Sequence, residues 1–418
     1  PSSTLLQSFT FKGESLNGGL VGNFVVIEGE QYGFLGKILE LSLPEKERLE
    51  LSEKSFKNKD FHPTGKIEIL LSFDLFEPTN VDKGLNSFPA IGAKVFVCSS
   101  DFIKGYFRKF GVKDEAIETS PVFELGTLTY DKSASIEISQ QALFGRHCAV
   151  VGTTGGGKSF TVSKLIEGVS SNKGKAILID ATGEYAKQDL TGYSAKNLVV
   201  SEDSYFPYQN LTIGDLFVLF RPSGQVQQPI LIEAIKSLKV AYCLIRDRDK
   251  FTVNENNNKL EFKIGGKDLI IENGCIVKKG NETGPFKNAY YKYVNEIDDH
   301  SKSNFDINKL ASQLVKECYY DNGDRWSNNR DERNFSNSTS LLLRINNILN
   351  DDTFKKMLGF QLNNESNIVE SIEKFIADNN EKSLLRIGFE KVSFDFQSRE
   401  ILANAIGRYL LNKARTGV

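Results

Sequence analysis

The chain has 418 residues, 40% hydrophobic and 25% charged, and 52 Lys and Arg against 54 Asp and Glu leave a formal net charge of −2. That length predicts about two to three domains, and the ordinary apolar and charged fractions exclude wholesale disorder. No stretch approaches the roughly 18–20 apolar residues that span a bilayer, and there is no overall basic excess of the kind a dedicated duplex-DNA binder carries, so a nucleic-acid role would rest on local basic surface or on symmetry that concentrates charge in a channel.

Cys98, Cys148, Cys243, Cys275 and Cys318 are scattered, with no C-x-x-C pair, and His62, His147 and His300 lie far apart. This argues against a disulfide framework and against a zinc site, and it fits a reducing, cytoplasmic compartment. The chain opens at Pro1 and its one Met is Met357, so trimming of the first residues, and of any targeting signal with them, stays open.

Residues 1–140 read as β-rich. Apolar runs at Phe24–Ile27, Phe34–Leu41 and Val95–Cys98, with alternation in Gly65–Phe73, Phe123–Leu128 and Ser135–Ser139, indicate half-buried strands between turns. Several short strands in this length predict a small closed β-barrel, since closure removes exposed edges; a small sandwich competes with it. The charged segment Pro44–Lys59 reads as a solvated loop or short helix.

Near residue 145 the pattern changes. Cys148-Ala-Val-Val151 predicts a strand, a Gly-rich turn follows, Phe160–Val169 predicts a helix, and Ala176-Ile-Leu-Ile179 predicts a second strand. This β–loop–α–β order is the signature of a parallel α/β sheet. Thr212-Ile-Gly-Asp215 has the form of a capping box, with Asp in place of Glu. Pro229–Ile245 reads as a helix with Pro229 at its first position, where a missing N–H is harmless. Phe251–Ile264, around the Asn-rich Asn254–Asn258, predicts a hairpin, and Asp268–Val277 predicts another. Asp321–Ser338, polar and rich in Asn and Arg, reads as a mobile loop. Ser340–Leu349 and Val369–Ala377 return to helix, Leu384–Phe389 and Val392–Phe396 read as strand-like, and a last helix runs from about Ser398 to Lys413 with Leu402, Ile406 and Leu410 on one face.

The chemistry concentrates in Gly152-Thr153-Thr154-Gly155-Gly156-Gly157-Lys158-Ser159, a complete G-x-x-x-x-G-K-[ST] followed by Phe160. The glycines let successive N–H groups turn inward as an anion nest, and the following helix aims its positive end at the phosphates. Lys158 is expected to reach the β- and γ-phosphates and Ser159 to ligate Mg²⁺. Asp180, at the end of an apolar run, is the expected acidic partner, holding Mg²⁺ through water; a solvated turn Asp is the plainer alternative. Glu184 is open between polarising an attacking water and capping a short helix. Arg146 is open between a phosphate contact, in its own or a neighbouring subunit, and an ordinary surface or interface role; His147 and Tyr185 read as structural. No N-K-x-D guanine motif stands out, so ATP is expected rather than GTP.

Arg146-His-Cys-Ala-Val-Val-Gly-Thr-Thr-Gly-Gly-Gly-Lys-Ser159 resembles the R-H-x-x-I-x-G-T-T-G-S-G-K-S of the HerA family within the HerA/FtsK ATPases. Ile179-Asp-Ala-Thr-Gly-Glu-Tyr185 is similar to that family's D-P-H-G-E-Y, and the β-rich start is similar to its HAS-barrel. Gly156 stands where the family has Ser, and Ala181-Thr182 where it has Pro-His. The resemblance implies a RecA-like α/β P-loop NTPase core, in residues 141–215 and 336–418, behind a barrel in 1–140 and interrupted by a helical and β insertion in 216–335. It also implies a homo-hexamer that uses ATP and Mg²⁺ to translocate double-stranded DNA, with a nuclease or other effector docked on the ring, in DNA end processing or antiphage defence. A nucleotide-stabilised ring scaffold is the alternative. The family's later acidic strand end and arginine finger have no counterpart after Asp180 and are expected beyond Val418.

Overall fold

In this computed structural model the described residues are 8–11, 14–17, 20–42, 64–77, 81–82, 85, 87–109, 121–128, 135–145, 147–186, 195–361, 365–378 and 383–416. Pro44–Lys59 and Arg146 lie outside them. The chain divides into two compact units, Pro1–Gly174 and Lys175–Val418.

In the first unit the alternating runs pair as an antiparallel sheet of five strands, in the order Val81–Asp82, Thr64–Asp74, Tyr32–Ser42, Phe24–Glu28, Val95–Val97. Strand alternation buries Val25, Ile27 and Phe34 on one face, and on the other Leu35, Leu71 and Phe73 form a core with Cys98, Ile103 and Leu128, on which Phe24 and Val26 pack. The helix Ser100–Lys109 covers that core, with Phe102 5.0 Å from Phe73 between ring centroids. Two hairpins form ladders of their own, Ser8–Phe11 with Glu14–Asn17 and Val122–Thr127 with Ser135–Ser139, the second packing Ile136 on the same core. Among the described residues the sheet is open, with Val81–Asp82 and Val95–Val97 at its edges. The helix Lys158–Ser171 packs on the second hairpin. Asn172 Nδ2 donates to the Val122 carbonyl at 3.0 Å, and Gly168 leaves room for the Phe123 ring, which a Cβ there would meet at 2.3 Å.

The expected strand Cys148–Val151 is not formed: residues 147–153 carry no regular structure, and Val151 is 86% exposed. Strand propensity is realised only through ladder partners and a face to bury, and this run has neither among the described residues.

In the second unit a parallel sheet places Leu384–Gly388 between Ala176–Asp180 and Ala195–Val199. Asp180, Gly388 and Val199 share one register, so the carboxyl ends of the strands are level. Every residue of the central strand is buried, as expected of a strand covered on both faces. Around it pack the helices Ile213–Phe220, Gln227–Arg246, Glu332–Asn350, Ile368–Ala377 and Ser398–Arg415, contributing Leu216, Leu231, Ile345, Ile372, Leu402 and Ile406 to one core. The capping box forms as the spacing predicts: the Thr212 hydroxyl accepts from the Asp215 amide and the Asp215 carboxylate from the Thr212 amide. Pro229 sits at the third position of its helix rather than the first, still within the turn whose N–H groups lack intrahelical partners. Both predicted hairpins form and join into one four-stranded antiparallel meander, Val253–Asn256, Lys259–Ile264, Lys267–Glu272 and Cys275–Ile276. Phe262, Leu269 and Ile271 pack there on Val240, Leu244, Phe286 and Trp326.

Two sequence expectations are corrected. Asp321–Ser338 is not a loop: Tyr319–Asp321 pairs with Trp326–Arg330, and the helix Glu332–Asn350 then begins. Trp326, 5% exposed, anchors the hairpin, and Asp331 caps the helix by accepting from the Arg333 and Asn334 amides. Val392–Phe396 is not a strand either. Phe396 and Gln397 adopt φ of 54° and 56°, which breaks extension before the last helix. Among the described residues no helix is long and apolar enough to cross a membrane.

Candidate functional site

The Gly-rich turn of the first unit is curled as an anion nest requires. Gly155 and Gly157 have φ of +79° and +85°, the left-handed region that an absent Cβ makes accessible. The Gly156 amide donates to the Thr153 carbonyl at 3.0 Å and closes the turn. A Cβ on Gly156 would lie 3.0 Å from that same carbonyl oxygen, so glycine suits the tight turn better than a larger residue. The helix Lys158–Ser171 starts directly from Gly157, an N-cap residue with no side chain to cap its first amides. Bare amides at a helix start, with the helix dipole behind them, favour an anion. Gly152 through Gly157 are exposed, Lys158 and Ser159 are half-buried, and Phe160 is 68% exposed. Lys158 Nζ donates to the Thr153 carbonyl at 2.9 Å, so its ammonium lies over the turn. His147 and Cys148 are exposed just upstream.

Asp180 and Glu184 belong to the second unit, where the carboxyl ends of the parallel strands carry a cluster of opposite character. Asp180 is 2% exposed. Its Oδ1 accepts from the Gly183 and Glu184 amides at 2.9 and 3.1 Å, and its Oδ2 from the Tyr185 amide at 3.0 Å. The same Oδ2 accepts from Arg386 Nε and Nη2 at 3.0 and 2.6 Å. Five donors therefore converge on one carboxylate. Arg386 also donates to Asn197 Oδ1 at 2.9 Å and to both Glu390 oxygens at 3.1 and 2.9 Å, so one guanidinium links all three strands. Burial pulls the guanidinium pKa down, but hydrogen bonds to Glu390 and Asp180 outweigh it, and the net shift is upward. Gly183, φ +78°, lets the turn pass Glu390: a Cβ there would come within 3.0 Å of Glu390 Cβ. Arg399 holds the turn's start, donating from Nη1 to the Ala181 carbonyl at 2.7 Å. Glu184 is exposed and Tyr185 half-buried.

The geometry separates the expected site residues into two groups. Gly152 to Phe160 form one continuous turn and helix start, and they fit a triphosphate: two left-handed glycines, a helix that starts from a glycine and a lysine over the loop. Ser159, at the second helical position, suits a Mg²⁺ ligand of the P-loop kind. Asp180 does not suit the expected water-mediated Mg²⁺ role, because both of its oxygens are committed to amides and to Arg386. Among the described residues no group of three or more His, Cys, Asp and Glu could hold a metal ion by itself. The sequence reading missed Arg386, Asn197 and Glu390. One signal was available: an arginine inside the apolar run Leu384–Phe389 requires buried acceptors.

The chain matches a known family and several known proteins. A family described as the central domain of the helicase HerA matches residues 123–406. Over 188 residues the chain is 30% identical to a DNA double-strand break repair helicase HerA of Sulfurisphaera tokodaii, covering 44% of this chain and 35% of that protein. Over 284 residues it is 22% identical to a probable helicase of Methanocaldococcus jannaschii, covering 64% and 52%. Over 151 residues it is 26% identical to a DNA double-strand break repair helicase HerA of Pyrococcus furiosus, covering 35% and 25%. The matches thus take in about half the length of these relatives, or less.

Proposed function

Because this chain belongs to the HerA helicase family, matched through its central domain, we propose that it is a P-loop ATPase subunit of a motor that moves double-stranded DNA. The observation that carries the reading is the turn Gly152–Ser159, whose left-handed glycines and uncapped helix start form a cradle for phosphates. Lys158 neutralises the β- and γ-phosphates, and Ser159 supplies a hydroxyl to Mg²⁺. ATP with Mg²⁺ brings the phosphoryl group and the charge that these residues hold and orient. Thr153, Thr154 and Phe160 line the cradle, and Arg146 reaches a phosphate of its own or a neighbouring subunit. Glu184, on an exposed turn, polarises the attacking water.

The subunit acts as a homo-hexamer, since a ring repeats each basic residue around a channel and lets a near-neutral chain hold DNA. Residues 1–140 form the barrel that meets a nuclease or other effector, 141–215 with 336–418 form the ATPase core, and 216–335 form its insertion. The setting is cytoplasmic DNA end processing or antiphage defence. The relatives named as DNA repair helicases support the DNA reading.

The test is ATP turnover with and without duplex DNA, across a salt series, with Lys158→Ala as the control. DNA-stimulated, salt-sensitive turnover that Lys158→Ala abolishes is expected. DNA-independent turnover would overturn the motor. Nucleotide binding that is dispensable for an active effector complex would turn the reading to a scaffold.

A further inference from the structure

Among the described residues Arg386 is the largest fully buried side chain, at 0% exposure, and nothing in the nucleotide reading uses it. A guanidinium in the middle strand of a sheet is tolerated only when its N–H groups are satisfied and its charge is met. Here one cation faces two carboxylates, Asp180 and Glu390, with Asn197 taking a remaining N–H. Their side-chain exposures differ: 1% for Asp180 and 24% for Glu390. Water can serve Glu390, whereas Asp180 depends on Arg386 and on the three amides of its own turn. Without the cation, two anions would face each other at the strand ends. Asp180 would then leave its place, releasing the Gly183, Glu184 and Tyr185 amides.

We infer that Arg386 is a positioning residue: acting through Asp180, it holds the turn 181–185 and so fixes Glu184, and Asp180 serves that turn rather than a metal ion. A water-mediated metal ligand must present a lone pair outward, and the five donors on Asp180 occupy both of its oxygens. The inference goes beyond the nucleotide reading and stands independently of it, because the turn is held by the protein alone.

The experiment is amide hydrogen exchange on the full chain without nucleotide, comparing wild type with Arg386→Gln, Arg386→Lys and Asp180→Asn. Arg386→Gln and Asp180→Asn are expected to speed exchange across 183–185 by about 10-fold or more, with the meander 253–276 unchanged. Arg386→Lys, which keeps the charge but not the fork, falls between them and wild type. A global loss of stability would instead raise exchange in both segments. The second measurement is the Mg²⁺ concentration at half-maximal ATP binding, expected to be unchanged in Asp180→Asn. Wild-type exchange at 183–185 in folded Arg386→Gln would overturn the inference. So would an Asp180→Asn variant with protected amides and a Mg²⁺ midpoint raised about 10-fold. Should Arg386→Gln fail to fold, the isosteric Asp180→Asn and the charge-preserving Arg386→Lys decide alone. A wild-type chain that binds no nucleotide would sink the ATPase reading while the exchange result still decides the role of Arg386.

Discussion

The turn at Gly152–Ser159 and the strand ends around Asp180 are both built from polar groups, yet they manage charge in opposite ways. The first is open to solvent: exposed glycines, a helix start whose N-cap Gly157 offers no side chain, and a lysine and the Gly156 amide that both rest on the Thr153 carbonyl. The second leaves nothing bare, since Asp180 takes five donors and Arg386 reaches three side chains. A site that waits for a ligand's charge keeps its donors at the surface, bonded to neutral carbonyls that a phosphate can replace. A site that organises its own backbone uses its donors internally, and its acidic residue is then a poor candidate for a metal.

The sharpest way to break this contrast is to remove one cation from each place. Lys158→Ala should weaken ATP binding by about 100-fold or more while leaving stability within about 0.5 kcal/mol, since the side chain is half-buried at most. Arg386→Met should do the reverse, lowering unfolding free energy by about 3–5 kcal/mol because it removes the charge partner of a buried carboxylate. Isothermal titration and urea unfolding of both variants read the two effects; a stable Arg386→Met would collapse the distinction.

A finer test uses two glycines of the same handedness. Gly183 and Gly155 have φ of +78° and +79°, but a Cβ on Gly183 meets Glu390 Cβ at 3.0 Å whereas one on Gly155 meets nothing within 4 Å. Gly155→Ala should therefore cost only the backbone penalty, about 1 kcal/mol. Gly183→Ala should cost about 1 kcal/mol more, as the turn is pushed off the cluster. Equal losses by urea unfolding would show that the close approach does not matter. The smallest effect expected is on thiol chemistry. Burial pushes Cys98 up to about 12 and Cys243 and Cys318 up to about 11, and raises Cys275 as well. Cys148 is exposed. At pH 8 iodoacetamide should label Cys148 alone in the folded chain, and bound ATP should slow that labelling about twofold, because the residue lies just upstream of the turn. Rapid labelling of the other four would place them nearer solvent than described.

The parts legible from sequence were those encoded over short spans. The P-loop, the capping box at Thr212 and the two hairpins of the meander each depend on residues within a few positions of one another. The strand ends were not legible, because Asp180 and Arg386 are brought together by a parallel pairing across more than 200 positions. Local pattern also misled where tertiary packing decided. Trp326 turned an Asn-rich stretch into a hairpin, and two left-handed residues after Phe394 stopped a run that looks extended. Cys148–Val151 has strand-forming residues but no ladder among the described ones, so propensity alone overstated it. In the β-rich first unit, alternation located the strands but could not say whether their edges meet.

A guanidinium locked inside a sheet also constrains how such a protein can drift over generations. A lineage that lost the acid at position 180 would strand a cation in a dry interior, and one that lost the arginine would strand the acid. The two positions should therefore change only in concert, traded together for a neutral pair of similar size. Position 390, whose side chain touches solvent, should wander far more freely among relatives.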